Sequence, residues 1–198
     1  ANIGIPPVLA GKGDLILADE LSHASMHAGM RASNADTRLF RHNDIGDCHR
    51  ILVRERDKYR HCLVMTEGVF SMDGDRAPLQ GLCDLAEEFG AWLMTDDAHG
   101  LGVLGDGRGS AAEAGIAERI PLQMGTLSKA VGSYGGFICA AKPVIDLLIN
   151  RARSLIYATG LPPAAVAAAS AALEIIEVDR DLVSIPMERA KRFTRQLC

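Results

Sequence analysis

The chain has 198 residues, 48% hydrophobic and 23% charged, with a formal net charge of −4, the composition of an ordinary globular domain with one core. Lys, Arg, Asp and Glu are interspersed and leave no basic stripe to neutralise a phosphate backbone, so nucleic acid is not an expected partner. No apolar run approaches the roughly 18 residues of a membrane-spanning helix and no secretory leader is recognisable, so the expectation is a soluble cytoplasmic protein that does not engage a membrane.

Short apolar runs alternate with helical periodicity, which predicts an α/β domain with a largely parallel sheet. Leu15–Ala18 reads as a strand, Ser22 as the N-cap of a helix through about Ser33, and Thr37–Phe40 as a second strand. From Ile45 to Lys58, Ile45, Cys48 and Leu52 share one face and Asp44 is placed to cap the first turn, as in an amphipathic helix. His61–Thr66 is a buried-type strand. Leu82, Leu85, Ala86 and Phe89 then follow helical spacing up to Gly90, and Ala91–Thr95 is another strand. After a glycine-rich turn and a short helix come strands at Pro121–Gly125 and Gly136–Ala140, divided by a polar loop. Helices over Pro143–Ser154 and Pro163–Val178 follow. The second of these carries Val166, Ala169, Leu173 and Ile176 on one stripe, suited to packing against a neighbour. Pro186 onward reads as a helix leading elsewhere.

Cys48, Cys62, Cys83, Cys139 and Cys198 are widely spaced and form no C-x-x-C pair, so neither a zinc site nor a disulfide framework is expected. Residue 1 is not Met and Cys198 falls inside what reads as a helix, so the expectation is a fragment of a longer chain.

Three polar clusters fall directly after predicted strands: Glu67–Asp75, Asp96–Gly100 and Thr126–Gly132. In open α/β sheets, loops at the carboxyl ends of strands project side chains into a shared crevice where ligands bind. Singly, each residue has a plain structural explanation. Asp96 and Asp97 could cap the turn that follows them, His99 could be a structural hydrogen-bonder, and Lys129 could be a solvated surface lysine. Together they supply an amine, an acid and hydroxyl or amide donors, the groups a carbonyl cofactor with a phosphate requires. Small residues around Lys129 let backbone approach such a phosphate. Gly100, Gly102 and Gly105 also satisfy G-x-G-x-x-G after a strand, but they continue into another glycine-rich turn rather than a helix. A nucleotide-dependent oxidoreductase is therefore the runner-up, with a non-catalytic binding or assembly fragment as the third possibility.

Five ordered blocks carry a resemblance: LADELSHAS (17–25), TEGVFSMDGDRAPL (66–79), TDDAHGLGVLGDGRGS (95–110), GTLSKAVGSYGGF (125–137) and RSLIYATGLPPA (153–164). With them the chain resembles, over nearly its whole length, the α-oxoamine synthase family of pyridoxal-phosphate enzymes. The resemblance implies the large domain of the type I pyridoxal-phosphate transferase fold, like that of aspartate aminotransferase, with a mostly parallel mixed sheet flanked by helices. It implies an incomplete cofactor domain over residues 1–180 and, over 181–198, a helix leading to a small C-terminal domain. In that reading Lys129 is the lysine that bonds to the cofactor aldehyde, and Asp96 pairs with the pyridine nitrogen. His99 and Ser71 bond the phenolic oxygen, Thr126 binds the phosphate, and His23 stacks on the ring and touches substrate. Thr159 reaches the phosphate of a neighbouring subunit. The implied reaction is decarboxylating condensation of an amino acid with an acyl thioester in a homodimer. The blocks look most like the member that joins L-alanine to a pimeloyl thioester, carried by coenzyme A or a carrier protein, on the route to biotin. Relatives using glycine with acetyl or succinyl thioesters, or serine with palmitoyl thioester, are the alternatives within the family. Segments that complete the site lie outside the 198 residues, so the chain alone is not expected to be a competent enzyme, and its dimer face should be unusually apolar.

Overall fold

Two of the apolar runs, Leu15–Asp19 (β1) and Cys62–Glu67 (β3), are buried at every position, as strands covered on both faces must be. The structure, a computed structural model, describes residues 1–197; Cys198 and the end of the expected C-terminal helix at that residue lie outside the described residues. With Asp36–Phe40 (β2), Trp92–Asp96 (β4), Leu122–Thr126 (β5) and Gly136–Ala140 (β6), these strands form one sheet in the order β2-β1-β3-β4-β5-β6. The first five run parallel and β6 is antiparallel to β5. The expected mixed, mostly parallel sheet is therefore present. At the edge, β2 carries exposed or half-buried Asp36, Thr37, Arg38 and Leu39, a polar composition that discourages further pairing.

Nine α-helical segments are found among the described residues: Pro6–Leu9 (α1), Ala24–Ala32 (α2), Ile45–Glu55 (α3), Leu79–Glu88 (α4), Ser110–Glu113 (α5), Lys142–Arg151 (α6), Arg153–Ile156 (α7), Pro163–Val178 (α8) and Arg180–Leu197 (α9). Because successive strand residues point to opposite faces, the sheet sorts its side chains into two cores. Leu15, Leu17, Val64 and Leu93 pack with Leu52 of α3 and Leu82 of α4. Ile16, Ala18, Met65 and Met94 pack on the other side with Met26 of α2 and Leu148 of α6. Each large apolar side chain so buried contributes about 1.5–3 kcal/mol relative to exposure.

Several local expectations need correction. His23, not Ser22, caps α2: its ring nitrogen Nδ1 accepts from the Ser25 backbone N–H at 3.2 Å, while Ser22 is buried with no partner for its hydroxyl among the described residues. The helix expected over Pro143–Ser154 is two, α6 and α7, because Ala152 is extended (φ −74°, ψ 96°) at the break. The helix expected from Pro186 begins at Arg180 and contains Pro186. On α8 the expected stripe is only partly covered: Ala169 is buried, whereas Val166 and Leu173 are exposed. Asp44 does cap α3, accepting from the Asp47 N–H at 2.8 Å.

Candidate active site

Parallel pairing brings Glu67 of β3 level with Asp96 of β4, and Asp96 level with Met124 of β5, two residues before Thr126. The three polar clusters therefore open on one edge of the sheet, at the carboxyl ends of neighbouring strands. The backbone is locked there: Gly68 N–H donates to the Asp96 carbonyl and Asp97 N–H to the Met124 carbonyl, both at 2.8 Å.

The two adjacent aspartates do different work. Asp96 is 4% exposed; its Oδ2 accepts from Asn2 Nδ2 at 2.6 Å and its Oδ1 from the Ala98 N–H at 3.1 Å. Each oxygen retains acceptor capacity for a further donor. Asp97 closes the following loop, accepting from the Ser110 N–H at 2.7 Å and from the Ser110 hydroxyl at 2.5 Å. Burial raises its pKa and these bonds oppose that rise. The plain turn-capping role considered for both residues is met in part by Asp96, through the Ala98 N–H, whereas Asp97 ties the loop to Ser110.

That loop also explains the glycine string. A Cβ at Gly68, Gly100 or Gly109 would strike Asp97 or Ser110, and one at Gly102 (φ +75°) would lie 2.6 Å from the Ala130 Cβ. The glycines serve close packing behind Lys129, and the helix that follows, α5, is four residues long. Nothing in this arrangement favours a dinucleotide site.

Lys129 sits on the loop between β5 and β6, a tight turn in which Gly132 (φ +65°) N–H donates to the Lys129 carbonyl at 2.9 Å. Buried Val131 anchors it, and the Ser133 hydroxyl ties it to the Ala165 carbonyl of α8 at 2.6 Å. The lysine Nζ lies 2.9 Å from His99 Nε2. Burial lowers the basicity of His99, and the Lys129 charge lowers it further against the opposing Asp96 carboxylate. A neutral ring with its proton on Nδ1 accepts the lysine hydrogen bond at Nε2. At the root of the loop, Thr126 Oγ1 donates to the Gly135 carbonyl at 3.0 Å, accepts from the Ser128 N–H at 3.3 Å and lies 2.8 Å from the Ser128 hydroxyl.

His23 enters from the loop after β1, its ring exposed and its Nδ1 2.7 Å from the Ser25 hydroxyl. Ser71 lies exposed in the turn after β3, and Thr159 is exposed between α7 and α8; neither makes a hydrogen bond to the other predicted site residues among the described residues. Sequence reasoning had missed two groups. Glu67, at the last position of β3, is 4% exposed. Burial, with the Asp96 charge added, pushes its pKa up to about 7. Asn2, 2% exposed, also donates to the Ser25 hydroxyl at 3.0 Å and leaves its own buried Oδ1 without a partner. Glu67 was signalled by its place at a strand end, whereas nothing near Asn2 in sequence pointed to Asp96.

The donor set fits pyridoxal phosphate: an accessible amine beside a neutral imidazole, a buried carboxylate with free lone pairs, and hydroxyls on a glycine-containing turn. Among the described residues no group of three or more His, Cys, Asp or Glu side chains is arranged to hold a metal ion, and no helix is long and apolar enough to cross a membrane.

The chain is similar to known proteins over nearly its whole length. Residues 1–197 match the family described as Aminotransferase class I and II. The 8-amino-7-oxononanoate synthase of Beijerinckia indica subsp. indica is 57% identical over 197 residues, covering 100% of this chain and 51% of that protein. Among solved structures, a serine palmitoyltransferase from S. paucimobilis with a bound PLP–myriocin aldimine superposes with a TM-score of 0.86 at 36% identity, over 89% of this chain and 46% of that one. The 8-amino-7-oxononanoate synthase of Francisella tularensis gives a TM-score of 0.75 at 32% identity, over 91% of this chain and 52% of that one. The chain spans about half the length of the curated relatives it matches.

Proposed function

From a chain that belongs to the aminotransferase class I and II family, we propose the cofactor half of a pyridoxal-phosphate-dependent acyltransferase that condenses L-alanine with a pimeloyl thioester, releasing carbon dioxide and 8-amino-7-oxononanoate. The single observation that carries this reading is the 2.9 Å contact between Lys129 Nζ and His99 Nε2, made at the strand end where Asp96 is buried.

When bound, pyridoxal phosphate supplies an aldehyde that captures amines and a protonated ring that accepts electron density from the reacting carbon. Asp96 holds a proton on the ring nitrogen, and Asn2 and the Ala98 N–H orient its carboxylate for that role. His99 and Ser71 would hold the phenolic oxygen, Thr126 the phosphate, and His23 the aromatic ring. Lys129 would be the residue that holds the aldehyde, and its amine, in the neutral form that acts as base, would take the proton from the substrate α-carbon. Thr159, exposed on its loop, serves the phosphate of a second subunit.

In this reading residues 1–180 belong to a large cofactor-binding domain and 181–198 lead toward a further small domain, so both substrates are bound partly by segments beyond this chain. The exposed apolar side chains of Leu155, Ile156, Tyr157, Leu161 and Val166 support a homodimer that covers them. The enzyme is proposed to work in the cytoplasm.

The test uses the full-length protein. Pyridoxal phosphate should produce the absorbance of a lysine imine, and borohydride reduction should fix the label on Lys129; a label elsewhere, or none, overturns the cofactor reading. Turnover of alanine and glycine with pimeloyl, acetyl and succinyl thioesters decides the substrates. Turnover of glycine alone would sink the alanine assignment.

A further inference from the structure

Away from Lys129, three loops meet on one imidazole. His42, in the loop between β2 and α3, has Nδ1 2.9 Å from Asp19 Oδ1 and Nε2 2.7 Å from Asp75 Oδ2. Asp19 ends β1, is fully buried, and starts the loop that carries His23. Asp75 belongs to the loop that carries Ser71. Asn43 makes the same two connections, its N–H donating to Asp19 Oδ2 at 2.8 Å and its side-chain Nδ2 to Asp75 Oδ2 at 2.6 Å. It does so from a left-handed backbone (φ +55°), a conformation that Asn tolerates better than most residues. Phe70, next to Ser71, sets its ring edge-on to His42 with centroids 4.5 Å apart. Its N–H donates to the Asp75 carbonyl at 2.9 Å, which closes the turn.

We propose that His42 is a positioning residue for the cofactor site: an imidazolium clamped between Asp19 and Asp75 that sets the His23 loop and the Ser71 loop in register with each other. The inference rests on the cofactor reading above, which makes His23 and Ser71 ligand contacts.

A neutral imidazole has one donor and one acceptor, whereas here each ring nitrogen faces a carboxylate oxygen, an arrangement that a doubly protonated ring satisfies; the Asn43 Nδ2 lies farther from Nε2, at 3.2 Å. Burial opposes the charge on His42, but the hydrogen bonds and charges of Asp19 and Asp75 more than offset it and raise the ring above its ordinary value. The remaining charged groups nearby are Glu20, which accepts the His42 backbone N–H at 3.0 Å, Arg41 and Asp44 on the same loop, and Arg76, whose carbonyl accepts from Asn43 at 3.3 Å. Because the folded value is raised, the clamp is complete at and below about pH 6.5 and is lost as pH rises through the folded value. Without the proton, one carboxylate faces a lone pair, and of the two bridges to the Ser71 loop only that of Asn43 is left intact.

The test is a titration of the His42 ring by NMR in the full-length wild type, paired with pyridoxal-phosphate dissociation constants from pH 6 to 9 for wild type and His42→Gln. We expect His42 to titrate above about 6.5 and wild-type affinity to fall across its transition. His42→Gln should bind about tenfold more weakly at pH 6, with no such transition. A His42 titration at or below the ordinary value overturns the clamp. So does a His42→Gln protein that melts earlier but keeps wild-type affinity and pH profile, since that is a purely structural role. Should His42→Gln not fold, Asp75→Asn, altered at a more exposed partner, must lower the His42 value, and an unchanged value overturns the inference. Absence of cofactor binding by the wild type itself overturns the cofactor reading, and this one with it.

Discussion

Asn2 reaches across 94 positions of sequence to donate a hydrogen bond to Asp96 Oδ2 at 2.6 Å, both residues lying almost wholly out of solvent. The same amide nitrogen serves the Ser25 hydroxyl, so one side chain joins the start of the chain, the start of α2 and the end of β4. A buried carboxylate is tolerated only with such donors, and their placement decides which way it points.

Asn2→Ala removes a donor from the buried carboxylate and should cost about 1–3 kcal/mol of stability, read as a lower urea midpoint of the full-length protein. Asn2→Asp should be worse, because it sets a second carboxylate against the first. Midpoints equal to wild type for both variants would show that the Asn2 bond is of no energetic consequence.

Glu67 gives a pH signature of definite sign. Its folded pKa, about 7, stands above its ordinary 4.5. Between those values the folded state keeps a proton that the unfolded state has lost, so this residue's contribution to stability falls as pH rises and levels off above about 7. Glu67→Gln removes that slope. Relative to wild type, the variant should be more stable at pH 8 than at pH 4.5, measured by denaturant unfolding at both; parallel pH profiles would refute the assignment.

At Gly102, alanine would require a left-handed backbone and would push its methyl against Ala130, next to Lys129. Gly102→Ala should therefore destabilise the protein by about 1–3 kcal/mol and disturb the lysine loop. The check is a thermal melt together with the rate of borohydride labelling at Lys129. A variant matching wild type in both would show that the loop behind the lysine has room to spare.

His99 should titrate below about 6.5 by NMR, because burial and the neighbouring Lys129 ammonium both oppose its protonation. Its folded value is lowered, so its contribution to stability is lost as pH falls below its ordinary range. Lys129→Met should raise the value only part of the way back, since burial remains. No movement on that substitution would mean that the lysine charge is not felt at the ring.

Much of this was legible in the chain itself because the signals are local. Continuous apolar runs such as CLVM (62–65) are buried on both faces in a covered, mostly parallel sheet, and polar clusters that follow strands directly lie at their carboxyl ends. Asp44 is a cap by its position relative to the apolar face behind it. Where two local signals competed, sequence was a poorer guide. Ser22 reads as the cap of α2, but the helix starts one residue later and His23 holds the cap position. Nothing in the Pro143–Ser154 pattern showed that Ala152 would be extended.

The sequence by itself determined the fold class, the strand-end clusters and the chemical kinds of group gathered there, since each depends on residue type and short-range period. Only the tertiary structure decided that Asn2 serves Asp96, that Asp97 belongs to Ser110, that Glu67 shares the buried edge, and that His42 bridges two loops. Those are contacts between segments far apart in the chain. Their geometry follows from strand order and register, which no local pattern encodes.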